Sequence, residues 1–191
     1  EWVLTGSKTF TTNGVYGNLY FVSARTGTEG PRHRQLSQFL VERDSVGLSV
    51  ARKLDKTGML SSDTAELVFD TVRVPAGNLL GEQDRGFHQL AAGLQRERLL
   101  AAVLSVSAAT QALDDTQAYL RQRTAFEKPL SELQALRHRF ADLATQLEAA
   151  RRLTYHAASM FAAGEEAETE VSMAKLYATE AANRVAYEAV Q

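Results

Sequence analysis

The chain has 191 residues, a formal net charge of −2 and 45% hydrophobic residues, which allows one large or two small domains and argues against nucleic acid or an anionic membrane as partner. It contains no cysteine, which removes disulfides and thiolate metal sites and fits a cytoplasmic protein. No apolar run approaches the roughly 20 residues of a membrane span, and no signal peptide is evident.

Residues 1 to about 80 carry nearly all the strand signals. Trp2-Val3-Leu4 precedes an expected Thr5-Gly6 turn. Leu19 to Ala24, Gln38 to Val41 and Leu48 to Val50 are β-rich runs, and Ala65 to Val74 nearly alternates before Pro75 ends it. Asn13-Gly14, Gly27 to Pro31, Gly47 and Gly58 supply turn chemistry, with Asn13-Gly14 expected to be a tight turn between strands. This half reads as a β-sandwich or barrel-like domain.

After Gly81 the period changes to that of helices, expected over about 84–123, 131–163 and 166–191. Pro129 breaks the first, Ser131 and Glu132 are placed to start the second, and Gly164 is placed to end it as a C′ glycine. Leu133, Leu136, Phe140, Leu143, Leu147, Ala150 and Leu153 recur at spacings of three and four. The class is therefore α+β: a β domain over 1–80 followed by an antiparallel helical bundle over 83–191. The strand pattern at Glu1 and the helical pattern at Gln191 predict a piece of a longer polypeptide, with the β domain truncated at its beginning and the bundle at its end.

The first helix holds the most informative residue. Phe87, Leu90, Leu94, Glu97, Ala101, Leu104 and Ala108 fall on one face at 3.6 residues per turn. A lone carboxylate on an apolar stripe is either a packing problem solved by a partner, here Arg96 or Arg98, or a reactive group. The four histidines, His33, His88, His138 and His156, never occur at ligand spacing with carboxylates, so no metal site is expected. Thr9-Phe10-Thr11-Thr12 offers an aromatic ring and three hydroxyls at a strand end, suited to a planar ligand or to a cross-strand Thr ladder. Arg32-His33-Arg34 and Arg123, with Phe126 and Lys128, could each meet an anion. A short basic loop such as Arg32-His33-Arg34 is more often just solvated, and for Arg123 a cation at a helix C-terminus is an equally good reading.

Several segments, taken in order, resemble the acyl-CoA dehydrogenase family. Lys8-Thr9-Phe10-Thr11-Thr12-Asn13-Gly14 resembles its K-x-W-I-T-N-G segment. Lys56-Thr57-Gly58, Ser62-Asp63-Thr64, Phe69 and Val72 to Pro75 resemble its K-x-G, S-x-T and F-x-x-V-x-V-P block, continued by Asn78 to Gly81 and Gly86-Phe87. Arg123 to Lys128 with Gln134 resembles R-x-x-F-G-K and its downstream glutamine, followed by Ala141-Asp142. The similarity extends through Ala189 to Gln191, covering effectively the whole chain.

The resemblance implies a flavoprotein oxidoreductase of fatty acid metabolism: FAD as cofactor, acyl-CoA thioesters as substrate, an electron-transfer flavoprotein or similar acceptor, and a homotetramer. Residue by residue, it implies that Phe10, Thr11 and Thr12 meet the flavin. Arg123, Phe126 and Gln134 would reach the FAD of a neighbouring subunit, and Gln191 would begin the Q-x-x-G-G loop. Arg98 and Ser62 would contact substrate. Glu97-Arg98-Leu99 matches the E-R-L sequence that supplies the base in the isovaleryl- and long-chain-type branches. A thioester α-proton is a very weak acid, so the base needs a desolvated setting. Three departures stand out: Phe10 for Trp, Glu127 for the Gly of R-x-x-F-G, and Leu60 for a frequent Arg. They leave room for a member acting on a carrier-protein-bound acyl chain, and a flavin monooxygenase or oxidase on the same fold is the alternative.

Overall fold

The structure, a computed structural model, describes residues 1–191. Its compact units are Glu1–Ala91 and Ala92–Gln191, dividing within the first helix.

The first unit is a β-sandwich. Strands β1 (Trp2–Thr12), β2 (Leu19–Arg25), β3 (Leu36–Glu42), β4 (Leu48–Lys53), β5 (Thr64–Val74) and β6 (Leu79–Leu80) form two antiparallel sheets, ordered β1-β5-β4 and β2-β3-β6. Leu4, Leu67, Phe69, Val72 and Val74 of one sheet and Tyr20, Val22, Phe39 and Val41 of the other share a single core.

The near-alternation of β5 has a specific cause. Leu4 pairs with Val72 and Gly6 with Phe69, so Asp70 and Thr71 together oppose Thr5. This bulge shifts the inward parity from Ala65, Leu67 and Phe69 to Val72 and Val74, keeping both halves of the strand facing the core. It also corrects the expected Thr5-Gly6 turn: β1 runs straight through, with Gly6 at φ 147° beside the bulge. The Asn13-Gly14 expectation changes too. Asn13 does sit in a turn, at φ 57°, but β1 and β2 are not paired. The turn carries the chain from one sheet to the other.

Helix α1 (Gly86–Gln122) begins against the β unit, where a Cβ on Gly86 would lie 2.9 Å from the Leu36 carbonyl oxygen. Only glycine permits that approach. Helices α2 (Gln134–Ala162) and α3 (Glu168–Val190) follow a short two-stranded hairpin, β7 (Thr124–Ala125) and β8 (Lys128–Pro129). Arg139 pairs with Glu188 at 3.1 Å and Arg184 with Gln146 at 3.3 Å, so α2 and α3 run antiparallel. Gly164, at φ 75°, ends α2 as the spacing predicts: Glu165 N–H donates to the Met160 carbonyl and Gly164 N–H to that of Phe161. Ser131 does not cap α2; it lies in a 3-10 turn (Leu130–Glu132), and Leu133 is the N-cap.

The bundle core consists of Ala102, Val106, Ala109 and Leu113 of α1, Leu143, Leu147, Ala150 and Ala157 of α2, and five α3 residues with Ala167. Thr154, not Leu153, continues the buried stripe of α2, its hydroxyl satisfied by the Ala150 carbonyl at 2.8 Å. On α1 the stripe marked by periodicity is not the core face. Phe87, Leu90, Leu94, Glu97, Leu104 and Ala108 are exposed. The helix is apolar around much of its circumference, and the side carrying Ala102, Val106, Ala109 and Leu113 is the one that joins the core. No helix is long and apolar enough to cross a membrane.

Candidate functional site

In the β unit, the resemblance-implied residues converge at one corner of the sheet. Lys8 pairs with Leu67 and Thr11 with Ala65, so Thr9 and Phe10 oppose Glu66 in a second bulge. Phe10 adopts φ 60° there and remains 78% exposed. A bulky residue in the left-handed region costs on the order of 1–3 kcal/mol, and such strain concentrates where a side chain is needed in one direction. Thr12 pairs with Thr64, and Thr12 is exposed while Thr11 and Ser62 are half-buried. Lys56 Nζ donates to the Ser62 carbonyl at 2.6 Å, fixing the loop that brings Ser62 beside β5.

The turn leaving this corner is tightly held. Asp63 is buried, with 5% exposure, and its Oδ2 accepts from Val15 N–H at 2.6 Å. Tyr20 hydroxyl donates to the Gly14 carbonyl at 2.9 Å, and the Arg43 guanidinium to the Val15 carbonyl. A Cβ on Gly14 would lie 2.8 Å from that of Ala65. Sequence reasoning singled out none of Asp63, Tyr20 and Arg43 as functional. Asp63 is merely the middle residue of Ser-x-Thr, and its partners come from residues distant in sequence.

In the helical unit, Arg123 and Phe126 occupy the β7–β8 hairpin. Its two central residues, Phe126 at φ 53° and Glu127 at φ 65°, form a type I′ turn. Leu130 N–H donates to the Arg123 carbonyl at 2.8 Å, closing the base of the hairpin just before Gln134 opens α2. Arg123, Phe126 and Gln134 are all exposed, so an aromatic ring, a cation and an amide are displayed close together in sequence.

Glu97 and Arg98 lie on α1, and Gln191 follows α3, exposed. Glu97 is exposed and forms no ion pair with Arg96, Arg98 or any other cation within 4.0 Å. The pairing that would make it an ordinary surface glutamate is therefore not made. At 1.5 Å per residue, about 39 Å of helical rise separates Glu97 from Arg123. A single chain does not gather both into one site. His138 and His156 are exposed on α2, and no group of three or more potential metal-ligating side chains occurs.

Each unit by itself carries groups of the kind a planar heterocycle bearing phosphates needs. In the β unit the strained Phe10 presents a ring face at a rigid corner and the neighbouring Thr12 hydroxyl is exposed; in the helical unit the exposed Arg123 offers a charge-assisted donor.

Two family models match the chain. Residues 1–72 match the model described as "Acyl-CoA dehydrogenase, middle domain", and residues 84–191 the model described as "Acyl-CoA dehydrogenase, C-terminal domain". The chain is 40% identical over 191 residues to an acyl-CoA dehydrogenase of Bacillus subtilis, covering all of this chain and 50% of that protein. It is 42% identical over 193 residues to the mitochondrial long-chain specific acyl-CoA dehydrogenase of Mus musculus, covering all of this chain and 45% of that protein. The crystal structure of an acyl-CoA dehydrogenase from Geobacillus kaustophilus superposes with a TM-score of 0.94 at 44% identity, over 98% of this chain and 50% of that one. The chain thus spans about half the length of the relatives it matches.

Proposed function

The chain belongs to the acyl-CoA dehydrogenase family, and we propose that in the whole protein it serves FAD-dependent α,β-dehydrogenation of an acyl-CoA thioester, with Glu97 as the base. The observation that carries this reading is the unpaired carboxylate of Glu97, set between exposed Leu94 and Leu104 on one helical face. A ligand laid over those leucines would shield the carboxylate from water with no cation beside it. A carboxylate so placed accepts the α-proton of the thioester on an Oε atom. Arg98, half-buried one residue on, and Ser62 serve substrate binding.

Phe10, Thr11 and Thr12 would hold the isoalloxazine ring of FAD, Arg123, Phe126 and Gln134 would hold the FAD of a neighbouring subunit, and Gln191 would also contact FAD. The 39 Å helical separation between Glu97 and Arg123 estimated above supports that division of labour. When bound, the flavin supplies a hydride acceptor at N5 for the substrate Cβ hydrogen. The protein residues orient the ring, exclude water and hold the abstracted proton. A homotetramer, delivery of electrons to an electron-transfer flavoprotein or similar acceptor, and a cytoplasmic location complete the reading.

The test is anaerobic titration of the whole FAD-loaded protein with straight, branched and aromatic acyl-CoAs. Bleaching of the flavin absorbance by at least one acyl-CoA is expected. Failure of every acyl-CoA, together with reduction by a nitroalkane or an amine, contradicts it.

A further inference from the structure

Asp63 is buried, yet it is ionisable and has no cation within 4.0 Å. Burying a carboxylate costs several kcal/mol unless hydrogen bonds offset it, so a residue needed only to fill space there would not be an aspartate. Its contacts all point to one segment. The side chain accepts from Val15 N–H at 2.6 Å, and its main-chain carbonyl accepts from Asn13 N–H at 3.2 Å. Both donors lie directly after Thr12, in the turn that leaves β1 for the other sheet.

That turn needs an external anchor. β1 and β2 are unpaired, so no ladder fixes the crossing, and Asn13 is held at φ 57°. Tyr20 and Arg43 bind the carbonyls of Gly14 and Val15, while Asp63 binds the amides of Asn13 and Val15. The last residues of β1 are therefore held to β5 on two sides of Thr12: by the ladder at Thr11 and Thr12, and by Asp63 through the turn that follows.

Resting on the FAD reading above, we propose that Asp63 is a positioning residue for the flavin-facing end of β1, acting through the Asn13–Val15 turn. It touches neither substrate nor reacting atoms; it sets the direction in which Phe10 and Thr12 are presented. The carboxylamide of Asp63→Asn keeps an oxygen at the same reach for Val15 N–H. Asp63→Glu keeps the charge but carries it one methylene too far. Asp63→Ala removes the acceptor altogether.

The experiment measures FAD affinity by flavin fluorescence, and the visible circular dichroism of the FAD-saturated protein, for these three variants in the whole protein. Val74→Ala, a core truncation at the far end of β5, serves as the destabilised control. We expect Asp63→Ala and Asp63→Glu to weaken FAD binding by about tenfold to a hundredfold, the scale of a lost charged hydrogen bond, and to alter the flavin dichroism. Asp63→Asn should stay within about threefold of wild type, a small change on the scale where tenfold is 1.4 kcal/mol, and Val74→Ala should change neither readout. If Asp63→Ala does not fold, Asp63→Glu against Asp63→Asn still decides. Wild-type affinity and dichroism in Asp63→Glu, or effects matched by Val74→Ala, overturn the positioning role while leaving the FAD reading intact. Failure of the wild-type protein to bind FAD overturns that reading and this inference together.

Discussion

Glu127 is one of the residues whose local conformation and chemistry disagree. It holds φ 65° at the second central position of a type I′ turn, where asparagine or glycine fits without penalty. Glu127→Gly is expected to stabilise the protein by about 1 kcal/mol, less the entropy that glycine adds to the unfolded chain. A higher melting midpoint in thermal denaturation checks this; a lower one contradicts it. Part of this was legible in the sequence, because Glu127 stands in the place of a motif glycine. The strain at Phe10 was not. Nothing in Thr9-Phe10-Thr11 announces that two residues must oppose Glu66, since a bulge is decided by the register of a partner strand more than 50 positions away. Asp63 was hidden for the same reason. Its local pattern marks Ser62 and Thr64, while its role depends on the amides of Asn13 and Val15.

At the scale of elements, α1 separates what periodicity reads well from what it cannot decide. The extent of the helix, the C′ role of Gly164 and the α2 stripe through Leu143, Leu147 and Ala150 all follow from spacing and glycine chemistry. Which face of α1 meets its neighbours does not, because leucines lie on both sides of the helix. The packed side is made of Ala102, Val106, Ala109 and Leu113, which share one core with α2 and α3. Ala102 has no exposed surface, so Ala102→Leu must push α1 off its neighbours and is expected to cost about 1–3 kcal/mol. Denaturant unfolding followed at 222 nm measures it. A loss below about 0.5 kcal/mol, the range of ordinary surface substitutions, contradicts the assignment of this face to the core.

For the whole molecule, two units with separate cores divide the labour. The β unit offers a rigid corner of ring, hydroxyls and a buried carboxylate latch, and the helical unit carries a base candidate near one end of α1 and a cation–aromatic hairpin beyond the other. The class and the order of the two units were legible because strand and helix periods change sharply after Gly81. The exposed stripe was legible as apolar but not as outward-facing, and that distinction governs how Glu97 is read. On a core-facing stripe a lone carboxylate needs a partner, whereas on an uncovered one it needs none. The direct test of this account is the anaerobic rate of flavin reduction by acyl-CoA in the whole protein carrying Glu97→Gln. Glutamine preserves shape and cannot accept the α-proton, so FAD content should remain at wild-type level while the reduction rate falls by about a hundredfold to ten-thousandfold. Reduction at the wild-type rate would contradict the assignment of Glu97 as the base.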